Sequence, residues 1–373
     1  MDFDLSEEHR MLQETVREFV AKEVTPRARH VDETEEFPLE TLRAMGKLGL
    51  LGLNVPEKYG GMGADALAAA LMLEEIGKGC GSTGLIVAAH LGLACGPLVA
   101  FGSEAQKQRW LKPMAQGKMI GCLGLTEPGA GCDLRGICTT AAREGDGWGI
   151  NGSKMWLTNG AEAGLAILLC RTGEKFSHFL VPTDTRGISF GPPEKKMGLH
   201  GSHTYGVSLE NVTVPAENLL GVEGRGLAQT LQVLDGGRIG IAALSLGLAE
   251  AAFEAARAYA QTRHTFGLPL IEHQAIAFLL ADMAAQIEAA RWLVYRAATL
   301  RDQGRPYTLE SSIAKLVASE MAERVARDAI QVLGGYGYSS EYPVERIYRD
   351  ARLMTIGEGT SEMQRMIIAR HVT

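Results

Sequence analysis

The pattern of hydrophobic and polar positions divides the chain into three parts, and the first part predicts helices. Residues 5–22 begin with Ser6, a residue type favoured at helix N-caps, and apolar side chains then recur at helical spacing. Residues 64–79 and 85–101 are rich in Ala, Leu and Met and also predict helices. We therefore expect an all-helical segment that ends at about Gly117.

The pattern of apolar residues changes after this point. From Met119 to about Val222 the apolar runs are short and are separated by Gly, Pro and Asn, which is typical of strands and turns. The glycines of Gly145-Asp146-Gly147 favour a tight hairpin turn. The pattern predicts a compact β-domain. Its predicted strands are Ile120–Leu125, Trp148–Ile150, Leu165–Cys170, Phe176–Val181, Ile188–Phe190 and Tyr205–Leu209.

From Gly226 onward the pattern is helical again. The first of these segments is dense in Ala and Gly, which suits closely packed helices. The predicted helices are Ile239–Gln261, Gln274–Arg301, Leu309–Leu333 and a last one that begins near Thr360. Periodicity alone supports a mixed α and β protein and does not define the arrangement of its parts.

Composition narrows the functional classes. A chain of 373 residues with 46% hydrophobic content is long enough for two or three domains with proper cores. Acidic residues number 44 and basic residues 37, and no long basic run is present. This argues against nucleic-acid binding, which needs a concentrated basic face, but it does not exclude an anionic ligand such as coenzyme A.

The cysteines and the N-terminus bear on the compartment. The six cysteines show no Cys-x-x-Cys spacing and no zinc-type pairing with histidine, so we expect reduced thiols and no metal site. The chain begins with acidic residues rather than a basic secretory leader. We find no stretch that approaches the roughly 18 uncharged apolar residues of a membrane helix. The prediction is a protein with no membrane span, located in the cytoplasm.

The run Gly79–Gly84 has the glycine spacing of a dinucleotide-binding fingerprint. That fingerprint functions only when a strand precedes it and a helix follows it, because the helix N-terminus holds a pyrophosphate. Here the preceding segment is helical in pattern. We therefore predict a turn between two helices and reject a Rossmann site.

Three short segments carry the candidate chemistry. Thr126–Asp133 is a glycine-rich loop, whose backbone can approach a flat ligand closely. In Lys154–Gly160, Trp156 and Thr158 are two residues apart, so on a strand they face the same side. Near the C-terminus, Glu358 lies between two glycines just ahead of a predicted helix, whose N-terminus favours an ionised carboxylate.

Together these segments resemble the flavin loop, the flavin wall and the catalytic base of the acyl-CoA dehydrogenase family, and the resemblance covers nearly the whole chain in the same order. It implies an α+β fold with three domains. These are an N-terminal helical domain at 1–117, a central β-barrel-like domain at 118–224 and a C-terminal four-helix bundle at 225–373.

The resemblance also implies FAD as the cofactor. Thr126 and its loop would meet the pyrimidine edge of the flavin, Trp156 would cover one side of the ring, and Thr158 would bond near N5. Arg263 would reach the FAD pyrophosphate of a neighbouring subunit, which implies a homo-oligomer, and we expect a tetramer. The implied FAD contacts are Leu125, Thr126, Gly131, Cys132, Trp156, Thr158, Arg263, Phe266, Gln274, Gln331, Leu333, Gly334, Gly335, Thr360 and Glu362.

The implied reaction is the α,β-dehydrogenation of an acyl-CoA to a trans-2-enoyl-CoA. Glu358 would remove the Cα proton while a hydride leaves Cβ for flavin N5, and an electron-transferring flavoprotein would accept the electrons. Some relatives carry the base at the position of Gly237, so Glu358 has no competitor here. The implied substrate contacts are Cys132, Asp235, Arg238 and Gly359.

Several alternatives stay open. Cys132 stands where the family usually has Ser, and a thiol is a weaker hydrogen-bond partner than a hydroxyl. An oxygen-using acyl-CoA oxidase and a catalytically silent acyl-CoA or flavin-binding protein share the scaffold. A glutaryl-CoA enzyme is disfavoured, because Gly81 occupies the position of its arginine. The segment Ser82–Gly96 suggests an apolar acyl chain, but the sequence does not separate short-chain from branched-chain substrates.

Overall fold

The computed structural model describes residues 4–373, and its first part is helical. The Oγ of Ser6 accepts a hydrogen bond from the His9 N–H at 3.2 Å, so the predicted N-cap of the first helix is confirmed. The helices are α1 (Glu7–Phe19), α2 (Ala28–Thr34), α3 (Leu39–Lys47), α4 (Ala66–Gly79), α5 (Gly81–Ala88), α6 (Gly96–Phe101), α7 (Glu104–Gln106) and α8 (Lys112–Ala115). Wider π-helical turns lie at Val20–Val24, Ala89–Cys95 and Lys107–Leu111.

The backbone from Gly81 to Phe101 is helical throughout, because a π-helical segment joins α5 to α6. Only Cys80 separates it from α4, so the predicted turn between two helices is confirmed. Gly81–Phe101 and a C-terminal helix, Gly226–Thr262, are long and apolar enough to cross a membrane by length and composition alone. The expectation that no stretch approaches this length is therefore wrong. In both segments 67% of the most apolar window is buried inside the fold, as in the core helix of a soluble protein.

The central part is an eight-stranded sheet. Its strands are β1 (Gly121–Gly124), β2 (Thr140–Glu144), β3 (Gly147–Thr158), β4 (Leu165–Thr172), β5 (Lys175–Pro182), β6 (Ile188–Phe190), β7 (Thr204–Pro215) and β8 (Leu219–Leu220). They follow the order β6-β7-β3-β2-β4-β5-β8, and β1 lies parallel beside β4. Glu144 pairs with Gly147, so the predicted hairpin turn is confirmed. The pattern missed β2 because, of its five residues, only Ala141 is buried.

The last part is a bundle of long helices. Its elements are α9 (Gly226–Thr262), β9 (His264–Thr265), β10 (Leu268–Pro269), α10 (Gln274–Asp302), α11 (Thr308–Leu333), α12 (Pro343–Met354) and α13 (Ser361–Val372). α9 is the central helix, and its small Ala and Gly residues allow α4, α10, α11 and α12 to pack closely against it. The sequence analysis did not predict α12, although its buried residues Val344, Ile347, Ala351 and Met354 recur at helical spacing.

The predicted fold class, with helical, sheet and helical parts in that order, is confirmed. One large apolar core joins the N-terminal helices to the C-terminal bundle, and a second core lies in the sheet. Described helices end at Ala115, strands extend from Gly121 to Leu220, and helices resume at Gly226. The domain limits of 1–117, 118–224 and 225–373 stay predictions.

Candidate active site

Glu358 lies in the tight connection between α12 and α13. Its backbone is left-handed, with φ of 52°, and Gly359 continues the turn with φ of 95°. Thr360 then caps α13, and its Oγ1 accepts a hydrogen bond from the Met363 N–H at 3.3 Å. Left-handed backbone is costly for a residue other than glycine, which makes Glu358 a strained position of the kind that clusters at functional sites.

The side chain of Glu358 lies over α9 at Gly237. A Cβ atom built on Gly237 would lie 2.0 Å from Glu358 Oε2 and 3.2 Å from a methyl carbon of Leu93. These distances leave no room for a side chain at residue 237 while the carboxylate is in this position. Gly237 therefore makes the space that the Glu358 carboxylate occupies.

The buried carboxylate of Glu358 has few interactions that offset the loss of solvent. Its Oε2 is buried and has no hydrogen-bond partner among the described residues. Burial raises the pKa of Glu358 to about 7, and the positive charges of Lys315 and Arg238 oppose this rise. A carboxylate with a pKa near neutrality is matched to general-base catalysis.

The two cations beside Glu358 differ in their partners. Arg238 donates to Asp235 Oδ1 at 2.5 Å, and the second carboxylate oxygen of Asp235 accepts from Thr308 Oγ1 at 2.6 Å. Lys315 is fully buried, and its Nζ donates to the main-chain oxygen of Gly359 at 2.7 Å. Burial lowers the pKa of Lys315 to about 8, although the charge of Glu358 opposes the change.

The glycine-rich loop forms a narrow turn with an open outer face. Glu127 and Ala130 exchange two main-chain hydrogen bonds, at 2.9 and 3.1 Å. No atom lies within 4 Å of a Cβ built on Gly129 or Gly131, so this side of the loop borders open space. Cys132 is exposed and lies close enough to Lys315 to affect the pKa of that lysine. The loop and the base thus both lie near Lys315.

A buried ion pair fastens this loop to the sheet. Lys154, on β3, is 1% exposed and donates to Glu127 Oε1 at 2.9 Å and to the Leu125 oxygen at 3.2 Å. The carboxylate of Glu127 also accepts the N–H groups of Cys138 and Thr139, at 2.7 and 2.9 Å. Burial opposes ionisation of Glu127, but these hydrogen bonds outweigh it and lower its pKa.

Trp156 and Thr158 lie at the end of β3, where a bulge interrupts the pairing with β7 between Lys154 and Leu157. Trp156 has a left-handed backbone, with φ of 60°, and its side chain is 54% exposed. Leu157 is buried in the sheet, so its two neighbours lie on the opposite side from the core. The Met155 N–H donates to the Thr126 oxygen at 2.8 Å, which joins this wall to the glycine-rich loop.

A second group of the predicted residues lines a separate cleft of about 620 Å³. Arg263, which follows α9, and Leu333, at the end of α11, both contribute to it. α11 ends at Gly334, whose φ of 60° favours glycine, and Gly334 and Gly335 also line the cleft. Phe266 is 99% exposed at the tip of the β9–β10 hairpin.

Family models match almost the entire chain. The N-terminal domain of acyl-CoA dehydrogenase matches residues 6–118, the middle domain 122–212 and the C-terminal domain 224–373. The chain belongs to the acyl-CoA dehydrogenase family. This makes it an oxidoreductase, and the recognition made from the sequence is confirmed.

Individual relatives cover the full length. The chain is 51% identical to "Probable acyl-CoA dehydrogenase YngJ" of Bacillus subtilis, over 100% of both chains. The solved structure of butyryl-CoA dehydrogenase from Megasphaera elsdenii matches with a TM-score of 0.98 at 41% identity, over 100% of both chains. A chain in a structure of the electron transferring flavoprotein of Acidaminococcus fermentans matches with a TM-score of 0.98 at 42% identity, over 100% of this chain and 99% of that one.

Within this acyl-CoA dehydrogenase the predicted residues form two groups. The first contains the glycine-rich loop, the Trp156 wall and the Glu358 turn, and the second surrounds Arg263. Asp235 and Arg238 lie beside the first group, and they bind each other there. Gln274 begins α10 and Gln331 lies near the end of α11, both with exposed side chains. Glu362 lies in the first turn of α13. The ligand contacts of all these residues stay predictions.

Sequence reasoning missed Lys315 and the Glu127–Lys154 ion pair. The sequence does contain a sign that Lys315 is buried. It follows Ser311 by four residues and precedes Ala318 by three, which places all three on the buried face of α11. A lone lysine on such a face must find a partner inside the protein. The ion pair has no comparable signal, since its two residues are separated by 27 positions and meet only when the loop folds onto β3.

Proposed function

We propose that this protein catalyses the FAD-dependent α,β-dehydrogenation of an acyl-CoA thioester. The observation that carries the proposal is the carboxylate of Glu358, with one buried oxygen that has no hydrogen-bond partner and a pKa of about 7. Burying a carboxyl group without a partner is unfavourable, so a protein has reason to keep one where a substrate provides the missing contact.

Glu358 would act on the substrate through two groups. Its carboxylate removes the proton from Cα of the thioester. Its main-chain N–H, which no described acceptor binds, is available to the thioester oxygen, where negative charge develops as the proton leaves. In this role the left-handed backbone of Glu358 has a function, because it directs the side chain and the main chain of one residue to the same ligand.

The residues around Glu358 fit FAD. The open face beside Gly129 and Gly131 suits the edge of a flat ring, and the exposed indole of Trp156 suits stacking on one side of it. FAD, when bound, supplies the acceptor for the hydride that leaves Cβ. The chain itself provides the wall, the hydroxyl of Thr158 and the loop held by Lys154.

We infer a homo-oligomer, expected to be a tetramer, from the second group of residues. The cleft beside Arg263 combines a guanidinium, which binds phosphate well, with the exposed backbone of Gly334 and Gly335. It is separate from the Glu358 site, so one protomer would hold the isoalloxazine while a neighbour holds the pyrophosphate. The 99% exposure of Phe266 supports burial of this hairpin in an assembly.

The proposed substrate is a short, apolar acyl-CoA, and the proposed electron acceptor is an electron-transferring flavoprotein. The match to butyryl-CoA dehydrogenase supports the first inference, and the match to a chain in an electron transferring flavoprotein structure supports the second. A silent acyl-CoA or flavin-binding protein is disfavoured, because such a protein has no need for the unfavourable burial of Glu358. An oxidase would use the same residues with oxygen as acceptor.

The test is the visible spectrum of the purified protein before and after addition of butyryl-, isovaleryl- or octanoyl-CoA without oxygen. We expect a yellow protein whose flavin band is bleached most rapidly by butyryl-CoA. Addition of an electron-transferring flavoprotein should then restore the band, whereas rapid restoration by air alone would favour the oxidase. A protein that binds FAD but is not bleached by any of the three would contradict the proposed reaction.

A further inference from the structure

Two buried side chains bind the main chain of the turn that carries Glu358. The main-chain oxygen of Gly359 accepts hydrogen bonds from Lys315 Nζ at 2.7 Å and from Gln364 Nε2 at 2.9 Å. Lys315 and Gln364 are both 0% exposed. An amide donor would suffice for a purely mechanical support, and Gln364 already provides one. The presence of a buried ammonium group therefore requires a further explanation, because burying a charge is unfavourable.

The charges that face Glu358 come from two helices. On α9, Arg238 is paired with Asp235 at 2.5 Å, so much of its field is cancelled. On α11, Lys315 forms no ion pair with any described carboxylate, and the remaining group that acts on it from the glycine-rich loop is the thiol of Cys132. Glu320, further along α11, acts on Lys315 more weakly than these groups. Lys315 is thus the cation beside Glu358 whose charge is not cancelled by a partner.

We propose that Lys315 is the positioning residue of the base: its buried ammonium holds the Gly359 carbonyl and keeps the Glu358 carboxylate ionised. This inference rests on the proposed function of Glu358 as the base that removes the Cα proton. The opposing effects of burial and of Lys315 on the pKa of Glu358 support it. The hydrogen bond fixes the backbone of the turn, and the charge sets the pH range in which the base is active.

The charge and the hydrogen bond are separable by substitution. Lys315→Met removes both, and Lys315→Gln removes the charge but retains an N–H donor. Gln364→Met removes the second hydrogen bond to Gly359 and leaves the charges unchanged. Arg324→Met serves as a charge control, because Arg324 is an exposed cation on the same helix.

Proton removal is measured without the rest of the reaction by using acetyl-CoA, which has Cα protons but no Cβ. Its exchange of Cα protons for deuterium in D2O, followed by NMR, reports the base alone. The pH profile of kcat/KM with butyryl-CoA is measured in parallel, and the FAD content and thermal midpoint of each variant report folding. The wild-type protein must exchange acetyl-CoA and be bleached by butyryl-CoA, and failure of both would overturn the proposed function itself.

We compare the pH profiles of acetyl-CoA exchange and of kcat/KM. In both, we expect Lys315→Met and Lys315→Gln to move the acid limb upward by about one pH unit, which is the size of effect that a neighbouring opposite charge has on a carboxylate. Because the carboxyl of the parent is about half ionised at pH 7, their rates should fall about fivefold at this pH, and the rate of Lys315→Gln should recover at higher pH. Gln364→Met should change rates equally at every pH, and Arg324→Met should change nothing. Unshifted limbs in both Lys315 variants, or loss of folded, FAD-containing protein in both, would overturn the proposal.

Discussion

Removal of Lys154 tests how the glycine-rich loop is held. The Lys154→Met variant retains most of the side-chain volume but leaves the Glu127 carboxylate buried without its cation. Loss of one partner of a buried ion pair costs about 3–5 kcal/mol. Because Glu127 keeps the N–H groups of Cys138 and Thr139, we expect the lower end of this range, about 3 kcal/mol.

The free energy of unfolding is measured by urea denaturation of the FAD-free protein, followed by its tryptophan fluorescence, to which buried Trp148 of the sheet contributes. Lys175→Met is the matched control, because it removes an exposed lysine from the same sheet, and we expect a change within about 0.5 kcal/mol. The double variant Glu127→Gln/Lys154→Met removes the unpaired charge as well, so it should be more stable than Lys154→Met by about 1–2 kcal/mol.

The loop should also bind FAD less tightly in Lys154→Met, since the N–H and C=O groups of the loop lose a fixed position. FAD titration by fluorescence quenching measures this effect. A Lys154→Met variant within 0.5 kcal/mol of the parent, with no gain in the double variant, would refute the view that the ion pair fastens the loop.

Three further variants test the site. Glu358→Gln should lower kcat by about 10²–10⁴-fold with FAD retained, as measured by steady-state kinetics. The same substitution should stabilise the FAD-free protein. The folded-state pKa of about 7 lies above the usual value of 4.5, so the carboxyl costs stability that grows from about pH 4.5 to 7 and is constant above. We expect a gain of up to about 3 kcal/mol at pH 8 and none at pH 4, and a gain independent of pH would contradict the assignment. Arg263→Ala should weaken FAD retention by about tenfold or more without changing the thermal midpoint of the FAD-free protein, and unchanged retention on gel filtration would exclude Arg263 from the cofactor site. Cys132→Ser should lower KM for butyryl-CoA by about two- to fivefold, because a hydroxyl is the better hydrogen-bond partner, and an unchanged KM would show that residue 132 does not touch the thioester ligand.

The sequence by itself determined the order of helical, sheet and helical parts and the identity of the three motifs. These features are local. Apolar spacing specifies a helix or a strand, as in α1 and β6, and a short motif such as Gly357-Glu358-Gly359 is read within a few residues. Among the elements that the sequence analysis missed, β2 has a single buried residue, so alternation carries little signal there. α12 does carry an apolar face at helical spacing, but five charged residues lie between its apolar positions.

Only the tertiary structure decided which groups surround the base. Lys315 and Glu358 are 43 residues apart, and Gly237 and Glu358 are 121 apart, so no local pattern relates them. The pKa of a carboxyl group depends on burial and on charges within a few ångströms, and both are properties of the packed fold. The sequence supplies a glutamate between two glycines, and the packing of α9 and α11 against its turn gives that glutamate a pKa near 7.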